Sequence, residues 1–319
     1  MLRILLVKTS SLGDVVHNFP AVTDIRRHLP NASIDWVVEE AYAPLVALHP
    51  AVNEVIPVAV RRWRRSVTRR STWRELADLR RRLARRPYDQ IIDSQGLVKS
   101  AVIARLVKGE HIGLSKQTAR EPFAARLYDT TFHIPQIRHA VERNRMLAAF
   151  ALNFDIRTPI DYGLQGVRAR LHQDALPPYA VLLHATSRMD KEWPEANWQA
   201  IGSSLIERGL PIVIPWGSAA EKARSERLAG RMPGATVPPR RSIDQVAGML
   251  AAARLVIGVD TGLVHLGVAL GVPTVAIFRG SDPALTGPVG PGRIVVCGSR
   301  GATPTVQDVA KAVNQVVDC

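Results

Sequence analysis

Short apolar runs alternate with longer amphipathic segments along most of this chain, and this alternation limits its fold more than any other feature. The apolar runs are rich in Val, Ile and Leu and show no clean apolar–polar alternation, which is typical of parallel strands buried on both faces. We expect strands at residues 3–8, 33–39, 53–60, 88–96, 179–186, 211–217, 254–260 and 273–278. This pattern predicts an α/β fold with doubly wound parallel sheets.

Amphipathic segments between these runs predict helices. Leu76, Leu79 and Leu83 form one apolar stripe within residues 73–86. Residues 139–152 and 195–209 are similar, and Gly209 is expected to cap the second of them. Beyond Pro283 the pattern predicts only a final strand and helix.

A polar segment rich in Pro and Gly interrupts the alternation between about residues 155 and 178, and a new strand begins at Tyr179. The 319 residues also suit two domains better than one core. We therefore expect two Rossmann-like domains, at residues 1–160 and 161–319, and leave open whether the C-terminal helix packs back on the first. Ligands of such sheets bind beyond the carboxyl ends of the strands, so we expect a cleft between two facing domains.

The positive charge of the chain is concentrated in one segment. Residues 61–86 hold twelve arginines and two acidic residues, a net charge of +10 out of the total of +14. Such a segment attracts nucleic acid, anionic lipid or a phosphorylated substrate, although a solvated helix face would look the same.

Several classes of protein are excluded. No apolar run approaches the roughly 20 residues needed to span a bilayer. The N-terminus leads directly into a strand without the charged leader and apolar core of a secretory signal, so we expect a cytoplasmic protein. The cysteines, Cys297 and Cys319, lack metal-ligand spacing, which argues against a zinc site or a disulfide framework.

The stretch KTSSLGD follows the first strand and contains Lys8 and Asp14. Small residues allow a tight turn and a helix N-terminus favours an anion, but the spaced glycines and the final Lys-Ser/Thr of a P-loop are absent. Asp14 fits either an N-cap, the more common role, or a functional carboxylate at the carboxyl end of a strand.

Two strands of the second half end in comparable polar loops. Thr186, Ser187 and Lys191 follow one of them and suit a diphosphate, although an ordinary strand–loop–helix turn is equally compatible. Asp260 ends the other, followed by Gly262 at the start of a helix and by His265 one turn later. The first-turn amides of this helix could hold a phosphate, and His265 could equally be a packed core residue.

Two further segments have both a structural and a functional interpretation. Glu221 opens a helix after a Trp-Gly turn, where it could hold a ribose or only complement the helix dipole. Arg61, Arg62 and Arg64 follow a strand and could grip phosphates or carboxylates, while Trp63 between them suits a lipid interface.

Together these residues resemble the lipopolysaccharide heptosyltransferase I family, the ADP-heptose-dependent branch of glycosyltransferase family 9. Single motifs are weak, but their number, order and spacing are specific and cover residues 1 to about 285. The motifs are VKTSSLGDVVHNFPA, DWVVEEAYAPL, VIPVAVRRWRR, DSQGLVKSA, QTAREP, HAVERNR, HATSRMDKEWP, PWG and VDTGLVHL.

The resemblance implies a GT-B fold, with an acceptor-binding first domain and an ADP-heptose-binding second domain. It implies inverting transfer of L-glycero-D-manno-heptose from ADP-heptose to the inner Kdo of Kdo2-lipid A, in lipopolysaccharide core biosynthesis. ADP-heptose is the donor substrate, and neither a cofactor nor a metal is implied. The expected location is peripheral, on the cytoplasmic face of the inner membrane, with contact to its anionic surface and not to nucleic acid.

The resemblance also assigns roles to matching residues. Asp14 resembles the catalytic base. Donor contacts are implied for Thr186, Ser187, Lys191, Glu221, Asp260, Thr261, Gly262, Leu263 and His265. Acceptor contacts are implied for Lys8, Arg61, Arg62, Arg64, Arg120 and His139.

Two alternatives remain at this stage. The first is heptosyltransferase II or another GT-B nucleotide-sugar transferase, which an acceptor assay would distinguish. The second is a nucleic-acid-binding protein, suggested by the charge; the aromatic content of 5% and the lack of a known binding motif argue against it.

Overall fold

The structure is a computed structural model that describes residues 1–85, 87–171 and 177–317. Arg86, Cys319 and residues 172–176 of the predicted linker lie outside the described residues. The chain divides into two compact units, Met1–Pro159 and Ile160–Cys319.

The first unit contains a six-stranded parallel sheet with helices along it. The strands are β1 Arg3–Val7, β2 Ser33–Glu39, β3 Glu54–Val58, β4 Gln90–Asp93, β5 Glu110–Leu114 and β6 Thr130–Phe132. The α-helices are α1 Leu12–Val16, α2 Phe19–His28, α3 Ala43–Val46, α4 Val60–Arg65, α5 Arg70–Ala84, α6 Val98–Ala104 and α7 Ala140–Leu152. Short 3₁₀ helices occupy Glu40–Tyr42 and Pro122–Leu127. The central strands β1 and β4 are apolar and almost wholly buried, as parallel strands covered on both faces must be.

The second unit repeats this architecture. Its strands are β7 Ala180–Leu183, β8 Ile212–Val213, β9 Ala235–Thr236, β10 Leu255–Val259, β11 Thr274–Ile277 and β12 Ile294–Cys297. Its α-helices are α8 Gln165–Leu171, α9 Glu195–Glu207, α10 Ala219–Ala229, α11 Ile243–Ala252, α12 Gly262–Ala269, α13 Pro283–Thr286 and α14 Val306–Val317. One 3₁₀ helix spans Met189–Lys191.

Both sheets have the strand order of a dinucleotide-binding fold. The first runs β3-β2-β1-β4-β5-β6 and the second β12-β11-β10-β7-β8-β9, and every strand pair is parallel. The chain reverses its direction of winding between β1 and β4 in one sheet and between β7 and β10 in the other. These two switch points are where such sheets bind ligands. The predicted α/β fold with doubly wound parallel sheets is confirmed.

Three strands were not predicted from the sequence. β5 carries Glu110 and His111 within its five residues, β6 has three residues and β9 only two, so none contains a long apolar run. The predicted linker was partly wrong, because residues 165–171 form α8. Buried Val167 and the bonds from Arg168 to the carbonyls of Ala251 and Gly271 attach α8 to the second unit.

The C-terminal helix α14 packs on α9, β11 and β12 of the second unit. Its apolar stripe of Val309, Val313 and Val316 is buried in the same core as Cys297. Within the part of the chain that the structure describes, no helix is long and apolar enough to cross a membrane.

Candidate active site

Asp14 lies in α1, the short helix that follows β1, next to the switch point of the first sheet. The sequence interpretation of Asp14 as an N-cap is wrong, because α1 begins at Leu12 and Ser11 is the N-cap. Asp14 is the third residue of the helix, and its Oδ2 accepts hydrogen bonds from the Ser11 amide at 2.9 Å and the Ser11 hydroxyl at 3.0 Å. This capping box orients the carboxylate and leaves Oδ1 without a partner among the described residues.

Three cations surround this carboxylate. A guanidinium nitrogen of Arg120 lies 3.5 Å from Asp14 Oδ2, and Lys8 and Arg143 act on Asp14 through their charges. Burial raises the pKa of Asp14, but the charges of Lys8 and Arg120 and the bonds from Ser11 outweigh it and lower the pKa below its usual value. Asp14 is therefore ionised at neutral pH, and its surroundings can still take an additional anion.

Lys8 is the buried cation of this group. It is 7% exposed, and its ammonium group donates to the Ser94 carbonyl at 2.7 Å and to Asn144 Oδ1 at 3.4 Å. Burial lowers the pKa of Lys8 to about 8, while the charge of Asp14 acts in the opposite direction. Such a buried group is better placed to act on Asp14 than to hold a ligand directly.

Gln95 positions the loop that leads to Asp14, and the sequence analysis did not single it out. It follows β4, and its Oε1 accepts from the amides of Thr9 at 2.8 Å and Ser10 at 3.1 Å. Its amide nitrogen donates to the Ser10 carbonyl, and its own backbone N–H is bound by Asp93. Only its place after a strand beside β1 could have identified it.

The arginines of α4 differ in their surroundings. Arg62 forms two-pronged ion pairs with Glu40 and Glu75, so its guanidinium is already occupied. Arg61 lies over the Tyr42 ring at 5.6 Å, and Arg64 is exposed with no ion-pair partner among the described residues.

Trp63 was predicted to suit a lipid interface, but most of its ring is buried. Its side chain is 9% exposed within the core of the first unit, and its indole N–H donates to Glu75 at 2.7 Å. The apolar residues of α4 and α5 bury the ring because it lies on the inner face of the helix.

His139, the remaining predicted acceptor residue, is the N-cap of α7. Its Nδ1 accepts from the Val141 amide at 3.2 Å, so it caps the helix, and its ring lies 5.7 Å from that of His17. The structure therefore gives His139 a definite structural role.

Asp260 is the centre of a second cluster, at the end of β10 and next to the switch point of the second sheet. Lys191 contacts its Oδ2 at 2.6 Å, the Ser281 hydroxyl donates to the same oxygen, and His265 Nε2 lies 3.7 Å from Oδ1. Thr186 joins the loop after β7 to this site, because its hydroxyl donates to the Asp260 carbonyl at 3.0 Å. The structure thus brings together four predicted residues and adds Ser281, which the sequence analysis missed.

These contacts fix the charge of Asp260. Burial raises its pKa, but the bonds from His265, Lys191 and Ser281 outweigh that effect and hold the pKa far below its ordinary value. Asp260 is therefore a buried carboxylate that remains ionised and contacts the Lys191 ammonium directly.

The helix after Asp260 presents its N-terminus at this point. Thr261 is the N-cap, and Gly262 and Leu263 lie in the first turn of α12, where helices leave amides without partners inside the helix. Gly258 allows this close approach, because a Cβ there would lie 2.4 Å from a methyl group of Val264.

Among the described residues, Glu221 and Ser187 make no hydrogen bond or ion pair with the Asp260 cluster. Glu221 is the third residue of α10, and its Oε2 accepts from the amides of Gly217 at 2.7 Å and Ser218 at 3.3 Å. This capping box agrees with the helix-terminal interpretation. Ser187 is exposed in the loop after β7.

Among the residues that the structure describes, no group of three or more His, Cys, Asp or Glu side chains could hold a metal ion.

Comparison with known proteins places the chain in a family. Residues 76–314 match the profile of glycosyltransferase family 9 (heptosyltransferase). The chain is 47% identical over 296 residues to lipopolysaccharide heptosyltransferase 1 of Pseudomonas aeruginosa. The matched region covers 91% of this chain and 82% of that protein.

Two solved structures match this chain over nearly its full length. E. coli heptosyltransferase WaaC with ADP superposes with a TM-score of 0.91 at 40% identity, covering 98% of this chain and 99% of that one. The same enzyme with ADP-2-deoxy-2-fluoro heptose gives a TM-score of 0.86 at 40% identity, covering 99% of each chain. The chain therefore belongs to glycosyltransferase family 9, the heptosyltransferases, and is a glycosyl-transferring enzyme of the GT-B fold.

Proposed function

We propose that this enzyme transfers L-glycero-D-manno-heptose from ADP-heptose to the inner Kdo of Kdo2-lipid A, with inversion and without a metal. Heptose transfer in lipopolysaccharide core biosynthesis is the activity to which the family and the relatives point. The observation that carries the more specific proposal is the setting of Asp14. It is an ionised carboxylate with one open oxygen among three cations.

The second unit holds the donor in this proposal. The Lys191 ammonium and the amides of Gly262 and Leu263 bind the diphosphate, helped by the hydroxyls of Thr186 and Ser187. Asp260, kept ionised by its neighbours, accepts hydrogen bonds from the heptose hydroxyls. His265 holds Asp260 in place and Glu221 binds the ribose.

Lys191 then has two roles. It contacts Asp260 at 2.6 Å, and a bound diphosphate would share its positive charge. As the glycosidic bond to ADP breaks, negative charge grows on the leaving phosphate, and a fixed ammonium group stabilises that charge more than the ground state.

Asp14 serves as the base in the first unit. The acceptor hydroxyl attacks the anomeric carbon, ADP leaves from the opposite face, and Asp14 Oδ1 takes the hydroxyl proton as the new bond forms. Because its pKa is lowered, Asp14 is a weak base and takes the proton late, as the oxygen becomes acidic in the transition state.

The cations beside Asp14 suit an acceptor that itself carries a carboxylate, as Kdo does. Arg120 and Arg143 can bind that anion, while Arg61, Arg64 and the capping residue His139 extend the site toward the other negative groups of the acceptor. Arg62 is engaged with two glutamates and holds α4 in place. The protein acts as a peripheral enzyme at the cytoplasmic face of the inner membrane, in contact with its anionic lipids.

Release of ADP from purified ADP-heptose tests the proposal. We expect release with Kdo2-lipid A as acceptor, and none with the same lipid already carrying the first heptose, which is the type II acceptor. The Asp14→Asn variant serves as the inactive control. Preference for the heptosylated lipid would identify a type II enzyme, and release without either acceptor would show hydrolysis only.

A further inference from the structure

An apolar groove opens on the surface of the first unit between α5 and α6. Its volume is about 580 Å³, and its lining contains no residue of the Asp14 loop. We call it the α5–α6 groove, and its lining includes Trp63, Trp73, Leu76, Val102, Ile103 and Leu106.

Large apolar side chains of the groove are exposed, although water-soluble proteins normally bury such groups. Trp73 is 62% exposed and Val102 is 50% exposed. Val67, 56% exposed, lies beside the groove, and its carbonyl accepts the Trp73 indole N–H at 2.8 Å. That bond satisfies the polar end of the indole, so the rest of the ring is free to enter an apolar phase.

Positive charge lies in the lining of this groove and along the segment that carries part of it. Arg80 and Lys99 lie in its lining, and the α4–α5 segment adds exposed arginines. Within the described residues, several of these make no ion pair, in contrast to Arg62, Arg81 and Arg82: they are Arg64, Arg65, Arg69, Arg70, Arg74, Arg80 and Arg85. The face therefore combines an apolar groove, with Arg80 and Lys99 in its lining, and a helical segment rich in unpaired arginines.

We propose that the α5–α6 groove is the membrane-docking site of this enzyme and takes an acyl chain of an anionic bilayer lipid. Trp73 lies at the level of the headgroups, Val102 faces the acyl chains, and the arginines bind the lipid phosphates. This deepens the membrane contact of the proposed function and rests on it.

Charge complementarity selects this occupant over others. A second copy of the chain would bring two arginine-rich faces together in a symmetric dimer, and like charges oppose that contact. A nucleic acid would use the arginines but leave the apolar groove exposed to water. An anionic bilayer uses both features at once.

Vesicle binding tests the groove directly. Wild-type protein should sediment with phosphatidylglycerol–phosphatidylcholine vesicles and not with phosphatidylcholine alone. Trp73→Ser and Val102→Asp should each weaken binding about tenfold, because each removes apolar area from the contact. The matched control is Ile137→Ser, since Ile137 is 82% exposed on the same unit but lies outside the groove. Unchanged binding by both groove variants overturns the inference.

Fluorescence locates the contact within the protein. Brominated lipids should quench the wild type mainly through Trp73, which is 62% exposed, and more weakly through Trp63 in the same groove, whereas Trp36, Trp193 and Trp198 are fully buried. Trp73→Phe should keep vesicle binding and lose most of this quenching. Quenching that survives undiminished in Trp73→Phe would assign the contact to another face.

A soluble acceptor separates this inference from the proposed function. Transfer to an acyl-free acceptor should be unchanged in Trp73→Ser and Val102→Asp, whereas transfer to acceptor embedded in vesicles should fall. If the wild type transfers to neither acceptor, the proposed function fails while the vesicle result stands. If groove variants lose transfer to the acyl-free acceptor as well, they damage the fold and the docking assignment is overturned.

Discussion

The two switch points of this protein occupy the same place in two sheets of the same strand order, yet each surrounds its aspartate differently. Asp14 is held by one helix cap and acted on mainly by charges. Asp260 is bound directly by Lys191 and Ser281 on one oxygen and approached by His265 on the other. One carboxylate keeps an open oxygen, and the other has partners at both.

This difference matches two kinds of chemistry. A group that must accept a proton needs an accessible lone pair, and Asp14 is 26% exposed with Oδ1 free among the described residues. A group that must hold a ligand in one orientation needs to be fixed, and Asp260 is fixed by three side chains. The fold supplies the location, and the neighbouring side chains determine the role.

The largest effect should come from Asp14→Asn. The amide can still accept the bonds that cap α1 but cannot take a proton, so kcat should fall by about 10²- to 10⁴-fold. Donor affinity, measured by calorimetry with ADP-heptose, should stay within about twofold of the wild type. Near-normal turnover in a correctly folded variant would remove Asp14 from the reaction.

Asp260→Asn should show the opposite pattern. Without the carboxylate, Lys191 loses its partner and the heptose hydroxyls lose an acceptor, so donor KM should rise by about 10- to 100-fold. Acceptor KM should change little. Ser281→Ala is a milder companion, because it removes one bond to the same oxygen and leaves the charge pair. A loss confined to kcat with unchanged donor KM would mean that the two aspartates do not divide the work as proposed.

The sequence predicted the strand ends that carry these sites better than the contacts made there. Asp14, Thr186 and Asp260 were identified because small polar residues follow buried apolar runs, and that signal is local. Gln95 and Ser281 were missed because each is important only through a partner far along the chain. The burial of Trp63 was missed because a run of arginines hides which face of the helix is inward.

The fold itself followed from hydrophobic pattern wherever a strand lay within a long apolar run. The edge strands β6 and β9 have two or three residues, and pairing with a neighbour, not their own composition, makes them strands. The helix α8 was hidden in a Pro- and Gly-rich stretch because its anchors are backbone carbonyls of other elements.

Lys8→Met tests how the buried charge beside Asp14 affects the stability of the first unit. The folded pKa of Lys8 is about 8 against an ordinary 10.5, so the unfolded chain binds more protons between these values and stability rises with pH there. From pH 7 to 9.5 the wild type should gain about 2 kcal/mol of unfolding free energy relative to the variant. Denaturant titrations at several pH values measure this gain.

The same variant also tests the link from Lys8 to Asp14. Loss of a neighbouring positive charge raises the pKa of Asp14, so the acid limb of kcat/KM should move to higher pH. A pH profile identical to that of the wild type would show that the two groups are not coupled.

The smallest effects should come from the arginines of α4, and they separate ligand binding from packing. Arg64 makes no ion pair within the described residues and Arg61 only lies over a ring, so Arg61→Ala and Arg64→Ala should each raise acceptor KM by about 3- to 10-fold. Screening by salt should reduce the difference, and donor KM should not move. Arg62→Ala is the control, since its guanidinium is shared between Glu40 and Glu75. It should lower the melting temperature and leave acceptor KM nearly unchanged. An equal rise in acceptor KM for all three variants would mean that pairing with glutamates does not keep an arginine from the acceptor.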